Sequence, residues 1–449
     1  MTVAGAGLRY IPRGIVDLWR RAGRSEVVRR LVRGSAWNLA GTVASRALSV
    51  AASVAVARIL GREGFGELGM VQGTVLNLSI FTSYGLGVTA TKHVAELRRS
   101  DPERAGRILS LAGSASAAVA GLLSLLLLLS ADLLAERVLG VTALAGSLRA
   151  GSAMLFFTLQ NGAQMGALAG FEAFRASARV NLLGGVATVA ATVAGVVVDG
   201  IFGAVCGMTA ASALTWGLAH AAVREAAREA GVPLSSRGAA SEARVLRDFS
   251  LPSILGSVLV GPVAWVCSAI LVNGPGGYAA MGQFNATNQW FALVMFLPAI
   301  LGQVVLPILS GAMGEGNETA AGRNLGTVVK ASAAVAIPLG VLLAAVSPFI
   351  MSFYGPGFRE AWPALAVSVA TAAVLAVQSP FVEYLNAADR PWTVVRANLL
   401  WAAGVLPLTA LLSAPYGVLG FVSARFAAFA AKGAYLAFTV RSSSRREAS

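Results

Sequence analysis

Arg46 stands near the middle of an apolar run, and Asn38, Thr42, Ser45, Ser49 and Ser53 recur around it at three- to four-residue intervals. That spacing puts them on one face of a helix. A guanidinium at mid-depth in hydrocarbon costs from ~2.5 kcal/mol upward, so it faces a wet cavity or a partner. The chemistry available to it in a cavity is anion binding; a helix–helix ion pair is the alternative. Further along come Gln72, Thr74, Asn77 and Thr89, then Gln160, Asn161 and Gln164, then Gln283, Asn285, Asn288 and Gln289. Uncharged amides and hydroxyls suit sugar hydroxyls, each group donating and accepting, although the same groups serve as interhelical glue. Arg425 and Lys432, seven apart, share a face near the end of the chain, where Glu383 is a possible counter-charge for Arg425. The candidate cavity set is Arg46, Asn38, Thr42, Ser49, Gln72, Asn77, Gln160, Asn161, Gln283, Asn285, Asn288 and Arg425.

The elements that must hold these residues are membrane helices. Charged residues make up 12% of the 449 and apolar ones 56%, with 50 glycines besides. The charged share is about half the roughly 25% usual in soluble domains, so there is too little charge to coat a water-soluble fold. Cys206 and Cys267 both sit in apolar runs and read as small hydrophobes. A helix needs roughly 20 apolar residues to cross the hydrocarbon. Runs near that length fall at 36–57, 68–91, 108–130, 149–170, 180–198, 201–222, 250–272, 278–310, 326–350, 362–384, 393–413 and 417–440. The expected fold is therefore all-α and integral to the membrane, with about 12 spans. A β-barrel is excluded by stretches such as 121–130 (GLLSLLLLLS), which do not alternate.

Orientation follows from Lys and Arg. The segment before the first run holds eight, and the 2–3 and 6–7 connections hold five each. The opposite side has only Arg58, Arg62, Arg137, Arg149 and Arg359. The positive-inside rule then predicts both termini in the cytoplasm. The pI of 10.9 thus reflects membrane-flanking loops, with no nucleic-acid-binding motif beside them.

A shift of 211 residues lays Gly66 on Gly277, Met70 on Met281, Gln72 on Gln283, Asn77 on Asn288 and Leu86 on Leu297. Six spans separate the copies, which predicts a parallel repeat about an axis along the membrane normal. The expected organisation is a basic tail at 1–35, an N-lobe at 36–222, an interlobe loop at 223–249, a C-lobe at 250–440 and a tail at 441–449. Two six-helix lobes related by a pseudo-two-fold, with a cleft between them, form an alternating-access architecture.

Enzyme chemistry finds little support. The two histidines, His93 and His220, lie near helix ends on the basic side. No Walker A sequence occurs, since Gly61–Gly66 (GREGFG) lacks the GK[ST] ending. No carboxylate pair faces the sparse side as a metal- or base-dependent transferase requires. No metal or cofactor is expected. Of 21 acidic residues, only Glu383 and marginally Asp199 approach the membrane interior. The expected cavity is cationic and amide-rich, which selects an anionic, hydroxyl-bearing substrate.

Ala57-Arg58-Ile59-Leu60-Gly61 followed by Gly64-Phe65-Gly66, Gly85-Leu86-Gly87 ahead of a basic loop, and Phe353-Tyr354-Gly355 with Phe358 and Ala361 carry a family resemblance over about residues 30–440. The chain resembles the polysaccharide or O-antigen flippases of the multidrug/oligosaccharidyl-lipid/polysaccharide exporter superfamily. The resemblance implies transfer of an undecaprenyl-diphosphate-linked oligosaccharide from the inner to the outer leaflet of the bacterial inner membrane. It also implies the partners expected of such a role: the lipid-linked saccharide, the bilayer, and polysaccharide polymerase and glycosyltransferases. The related lipid II flippases often have two further spans, for which this chain lacks room. Drug exporters of the superfamily share the fold, but the first span lacks their acidic residue. A multidrug or cation antiporter, and more distantly a membrane-embedded glycosyltransferase or its scaffold, stand as the alternatives.

Overall fold

The computed structural model describes the backbone of residues 26–82, 87–235, 238, 242, 259–314, 318–388 and 390–447. Side chains are described at 47–78, 87–235, 238, 242, 259–296, 324–388, 390 and 392–442. Asn38, Thr42 and Arg46 sit on described helix backbone, but their side chains lie outside the described residues.

Every long element is a helix: α1 Glu26–Thr82, α2 Val88–Leu97, α3 Pro102–Leu133, α4 Leu144–Gly170 and α5 Phe174–Glu229 in the first half. The second half has α6 Val260–Val272, α7 Gly277–Gly314, α8 Glu318–Ala345, the short α9 Ser347–Phe353, α10 Trp362–Ala387 and α11 Pro391–Glu447. Five described stretches are long and apolar enough to cross a bilayer: Pro102–Val138, Phe174–Glu229, Asn324–Ala345, Pro356–Ala387 and Trp392–Ser442. Their outer faces carry bare apolar side chains, with Val198 84% and Leu129 72% exposed. In water such a surface would drive association; against lipid it is solvated.

Three of these helices are each a pair of rods joined at a glycine. The breaks fall at Gly61 (φ 69°), at Asp199–Gly200 (Gly200 φ 49°) and at Gly417 (φ 55°). Each lies between two of the apolar runs or, at Gly417, on the first residue of one. A positive φ turns the chain in one or two residues, a conformation glycine adopts without steric cost. Beyond the Gly200 turn the rods pack backbone against backbone, Gly195 meeting the Gly203 carbonyl and Gly207 the Ala191 carbonyl. Helices also outrun the apolar runs: α5 continues to Glu229 and α11 to Glu447. Arg, Glu and Ala are good helix formers, so a hydrocarbon boundary is not a helix boundary.

Helices α1 to α5 pack on one another, and α6 to α11 do likewise. The two groups meet mainly where the second rod of α1 crosses α7. A Cβ at Gly66 would collide with the Tyr278 carbonyl, and one at Gly282 with the Arg62 carbonyl. Small residues let membrane helices approach this closely. Hydrogen bonds between the halves gather at this end, where helix termini leave carbonyls unpaired. Tyr278 Oη donates to Leu139 O at 2.7 Å, and Asn273 Nδ2 to Val138 O at 2.8 Å. Arg58 Nε donates to Phe353 O at 2.6 Å, and within the second half Gln283 Nε2 donates to Gly357 O at 2.9 Å. Phe65, Tyr354 and Phe358 form an aromatic layer beside them, with centroids 5.7 to 6.5 Å apart.

Gly282→Ala is therefore expected to lower the unfolding temperature of the detergent-purified protein, because overpacking costs about 1–3 kcal/mol. Gly113→Ala, where a Cβ meets nothing within 4 Å, serves as the control and should leave it unchanged or slightly higher.

Candidate functional site

A cavity of about 440 Å³ lies between the two groups of helices. The first rod of α1 lines it with Ser49, Ser53 and Val56, and the second with Phe65, Gly69, Gln72 and Asn77. These recur every three to four residues because one face of each rod looks inward. Thr188 and Thr192 of α5, Cys267 and Ser268 of α6, and Asn285, Asn288 and Gln289 of α7 complete its polar surface. Arg425 of α11, with Phe421 and Phe429 one turn to either side, is the single charged residue in the lining among the described residues. No carboxylate lines the cavity among the described residues.

The Arg425 guanidinium is held by aromatic faces. Its carbon lies 4.9 Å from the Phe284 ring centroid, 5.5 Å from Phe291 and 5.9 Å from Phe421. Phe284 and Phe421 stand edge to face at 4.8 Å, which fixes the cage. Such contacts are worth ~0.5–2 kcal/mol, short of the cost of taking a cation from water. Among the described residues no acidic group lies within salt-bridge distance of Arg425, Glu383 included. The N–H donors of a guanidinium held by ring faces stay available to water or an anion in the cavity.

The amides divide by what they touch. Asn285 Nδ2 donates to Phe65 O at 3.1 Å and packs over Gly69, so it ties the halves together. Asn77 Nδ2 bonds Gly73 O of its own helix at 2.7 Å, and Gln72 Nε2 lies 3.1 Å from Met208 Sδ. Asn288 and Gln289 make no hydrogen bond among the described residues. The Thr192 hydroxyl is buried and unpaired among them.

Six of the sequence-derived candidates thus converge on one cavity: Ser49, Gln72, Asn77, Asn285, Asn288 and Arg425. Gln283 is elsewhere. It sits two residues from Asn285, about 200° around the helix, and is spent on the Gly357 carbonyl. Gln160 and Asn161 are also absent from the lining, because α4 turns them toward α5. There Gln164 Nε2 lies 3.4 Å from His220 Nδ1, and Trp216 stacks on His220 at 5.7 Å. The caging role of Phe284, Phe291 and Phe421 was missed in the sequence. The i, i+4, i+8 spacing of Phe421, Arg425 and Phe429 was its available signal.

The comparisons with known proteins follow this geometry. The family model described as polysaccharide biosynthesis protein matches residues 31–313, well over half of the chain. The chain belongs to that family. The chain is 29% identical over 282 residues to the EPS I polysaccharide export inner membrane protein EpsE of Ralstonia nicotianae. It is 28% identical over 286 residues to the EpsE protein of Ralstonia solanacearum. In both cases the match spans 62% of this chain and 62% of the relative's length. The solved structures share the fold. An inward-facing multidrug resistance MATE family transporter of the MOP superfamily superposes with a TM-score of 0.76 at 14% identity, over 90% of this chain and 96% of that one. The lipid II flippase MurJ in an inward closed conformation gives 0.71 at 15%, over 90% and 87%. A MOP superfamily transporter from Pyrococcus furiosus gives 0.67 at 13%, over 91% and 95%.

Arg425→Met removes a buried charge that has no ion-pair partner among the described residues, so the unfolding temperature should stay level or rise. Asn285→Ala breaks the bond to Phe65 O and should cost about 0.5–1.5 kcal/mol. Thermal unfolding of the two purified variants checks both signs.

Proposed function

We propose that this protein is a flippase that carries a lipid-linked, diphosphate-bearing saccharide from the cytoplasmic to the outer leaflet of a bacterial inner membrane. The observation that carries the reading is the Arg425 guanidinium, without a carboxylate partner among the described residues, in a cavity whose other polar groups are amides and hydroxyls set among aromatic and aliphatic side chains. An anion supplies the counter-charge that Arg425 lacks, and Asn288, Gln289 and Gln72 meet sugar hydroxyls. The lipid tail stays in the bilayer between the lobes. Arg46, Asn38 and Thr42 are assigned to the same polar surface on the strength of their spacing with Ser49 and Ser53.

No covalent step is involved. The halves are joined at the Gly61 end by Gly66 and Gly282, the aromatic layer and side chain-to-carbonyl bonds. Taken with the positive-inside orientation, that end is the outer one, and the substrate enters from the basic, cytoplasmic side. Rocking of one lobe against the other breaks the seal and re-exposes the site outside. For a head group of about two negative charges, a potential of 100 mV, inside negative, favours outward movement by about 4.6 kcal/mol. Coupling to an ion is therefore not required. The polysaccharide export names of the relatives agree with this assignment. A cation antiporter with the same fold would want a carboxylate in the cavity, and the described lining has none.

Leaflet-resolved transport in reconstituted vesicles tests the proposal. Arg425→Gln should reduce transfer of an undecaprenyl-diphosphate saccharide by about 10- to 100-fold, the worth of a charge-assisted hydrogen bond, while Arg425→Lys keeps part of it. Undiminished transfer in Arg425→Gln overturns the assignment of this residue. Proton- or sodium-driven drug transport that is lost in Glu383→Gln would favour the antiporter instead.

A further inference from the structure

A second arginine-lined hollow, of about 660 Å³, opens at the Gly61 end. Arg58 and Arg62 of α1 and Arg359 of the 3-10 turn Pro356–Ala361 line it together. Positively charged residues are scarce on this side, where Arg58, Arg62, Arg137, Arg149 and Arg359 are the ones the sequence offers. Three of them share one pocket. Some arginines elsewhere are paired with carboxylates, Arg149 with Asp132 at 2.6 Å and Arg98 with Glu172 at 2.5 Å. Among the described residues none of the three pocket arginines has a carboxylate within 4.0 Å, although Glu63 and Glu360 adjoin them in sequence.

The pocket is built rather than a loose surface cluster. Arg58 is anchored through Nε on Phe353 O. The Arg62 stem lies so close over Gly357 that a Cβ there would sit 3.0 Å from Cδ. Gln283 in turn holds the Gly357 carbonyl. Gly355, at φ 120°, starts the turn that carries Arg359 to the rim. The floor is the aromatic layer. Phe65 lines the central cavity, while Tyr354 and Phe358 line this pocket, so one thickness of rings separates the two. Along α1 they are also adjacent, Ser53 and Val56 facing the cavity and Ala57 and Arg58 the pocket.

We infer that the Arg58–Arg62–Arg359 pocket is an exit-side anion site that takes the phosphate or diphosphate of a lipid head group as it leaves the central cavity. This rests on the flippase reading for its direction. Planar guanidinium forks match phosphate oxygens in two-point contacts, and three of them next to the aromatic layer give a departing anion a landing point. The same chemistry has two sources, the carrier's diphosphate and the phosphate of bulk anionic phospholipid.

The experiment uses full-length protein in phosphatidylcholine nanodiscs titrated with inorganic pyrophosphate by calorimetry. In parallel, nanodiscs doped with phosphatidylglycerol are scored for retained lipid by native mass spectrometry. Two pyrophosphate sites are expected. Arg62→Gln/Arg359→Gln should weaken one by about tenfold or more and leave the other, whereas Arg425→Gln should remove the other alone. Loss of retained phosphatidylglycerol in the double variant assigns the pocket to bulk lipid; loss of pyrophosphate binding alone assigns it to the carrier. Arg359→Gln by itself is the fallback if the double variant unfolds, and Arg62→Lys/Arg359→Lys should restore most of the binding. A folded Gln variant with unchanged pyrophosphate stoichiometry and unchanged lipid retention overturns the exit site, whatever Arg425→Gln does. Failure of Arg425→Gln alone overturns only the central assignment.

Discussion

A guanidinium caged by three phenyl rings, without a carboxylate in reach, cannot be settled in a membrane interior unless water or an anion meets it. Ring faces recover ~0.5–2 kcal/mol, against a burial cost of several. Among the described residues Arg425 is in that position, with Phe284, Phe291 and Phe421 around its head. The cavity is therefore a condition of the residue's survival, and the halves must stand far enough apart to keep it wet. Close packing of small residues elsewhere makes that separation possible.

The halves touch where backbone meets backbone. Gly66 and Gly282 bring α1 and α7 together at one end, and the cavity opens beyond them. Around the crossing, carbonyls freed at helix ends accept from Arg58, Asn273, Tyr278 and Gln283. Each such bond contributes only about 0.5–1.5 kcal/mol net. A seal made of small, separable terms can be exchanged for another arrangement in a way that a continuous core cannot.

The spans were legible because hydrocarbon imposes a length and an apolar composition on any helix that crosses it. Their tight joining at Gly61, Gly200 and Gly417 was less so, since glycine also occurs throughout the rods. In the cavity, Asn77 and Asn288 match under the 211-residue shift and both line it. Gln72 and Gln283 match equally well, yet only Gln72 does. A match under the shift does not decide an amide's use, which depends on the neighbour that lies opposite. Arg46 carried the sequence argument; among the described side chains, Arg425 holds the corresponding charge.

By itself the sequence determined the solvent of this protein, its helical class, the side of the bilayer to expect for its basic loops, and the poverty of carboxylates inside. Those are properties of composition and period, set by hydration energies that act on each residue alone. Tertiary structure decided which polar groups share a cavity, that Arg425 meets rings and not Glu383, and that Arg58, Arg62 and Arg359 gather across 300 residues of chain. These depend on helix rotation and crossing, and about 100° per residue along a helix is enough to send neighbouring amides to opposite fates.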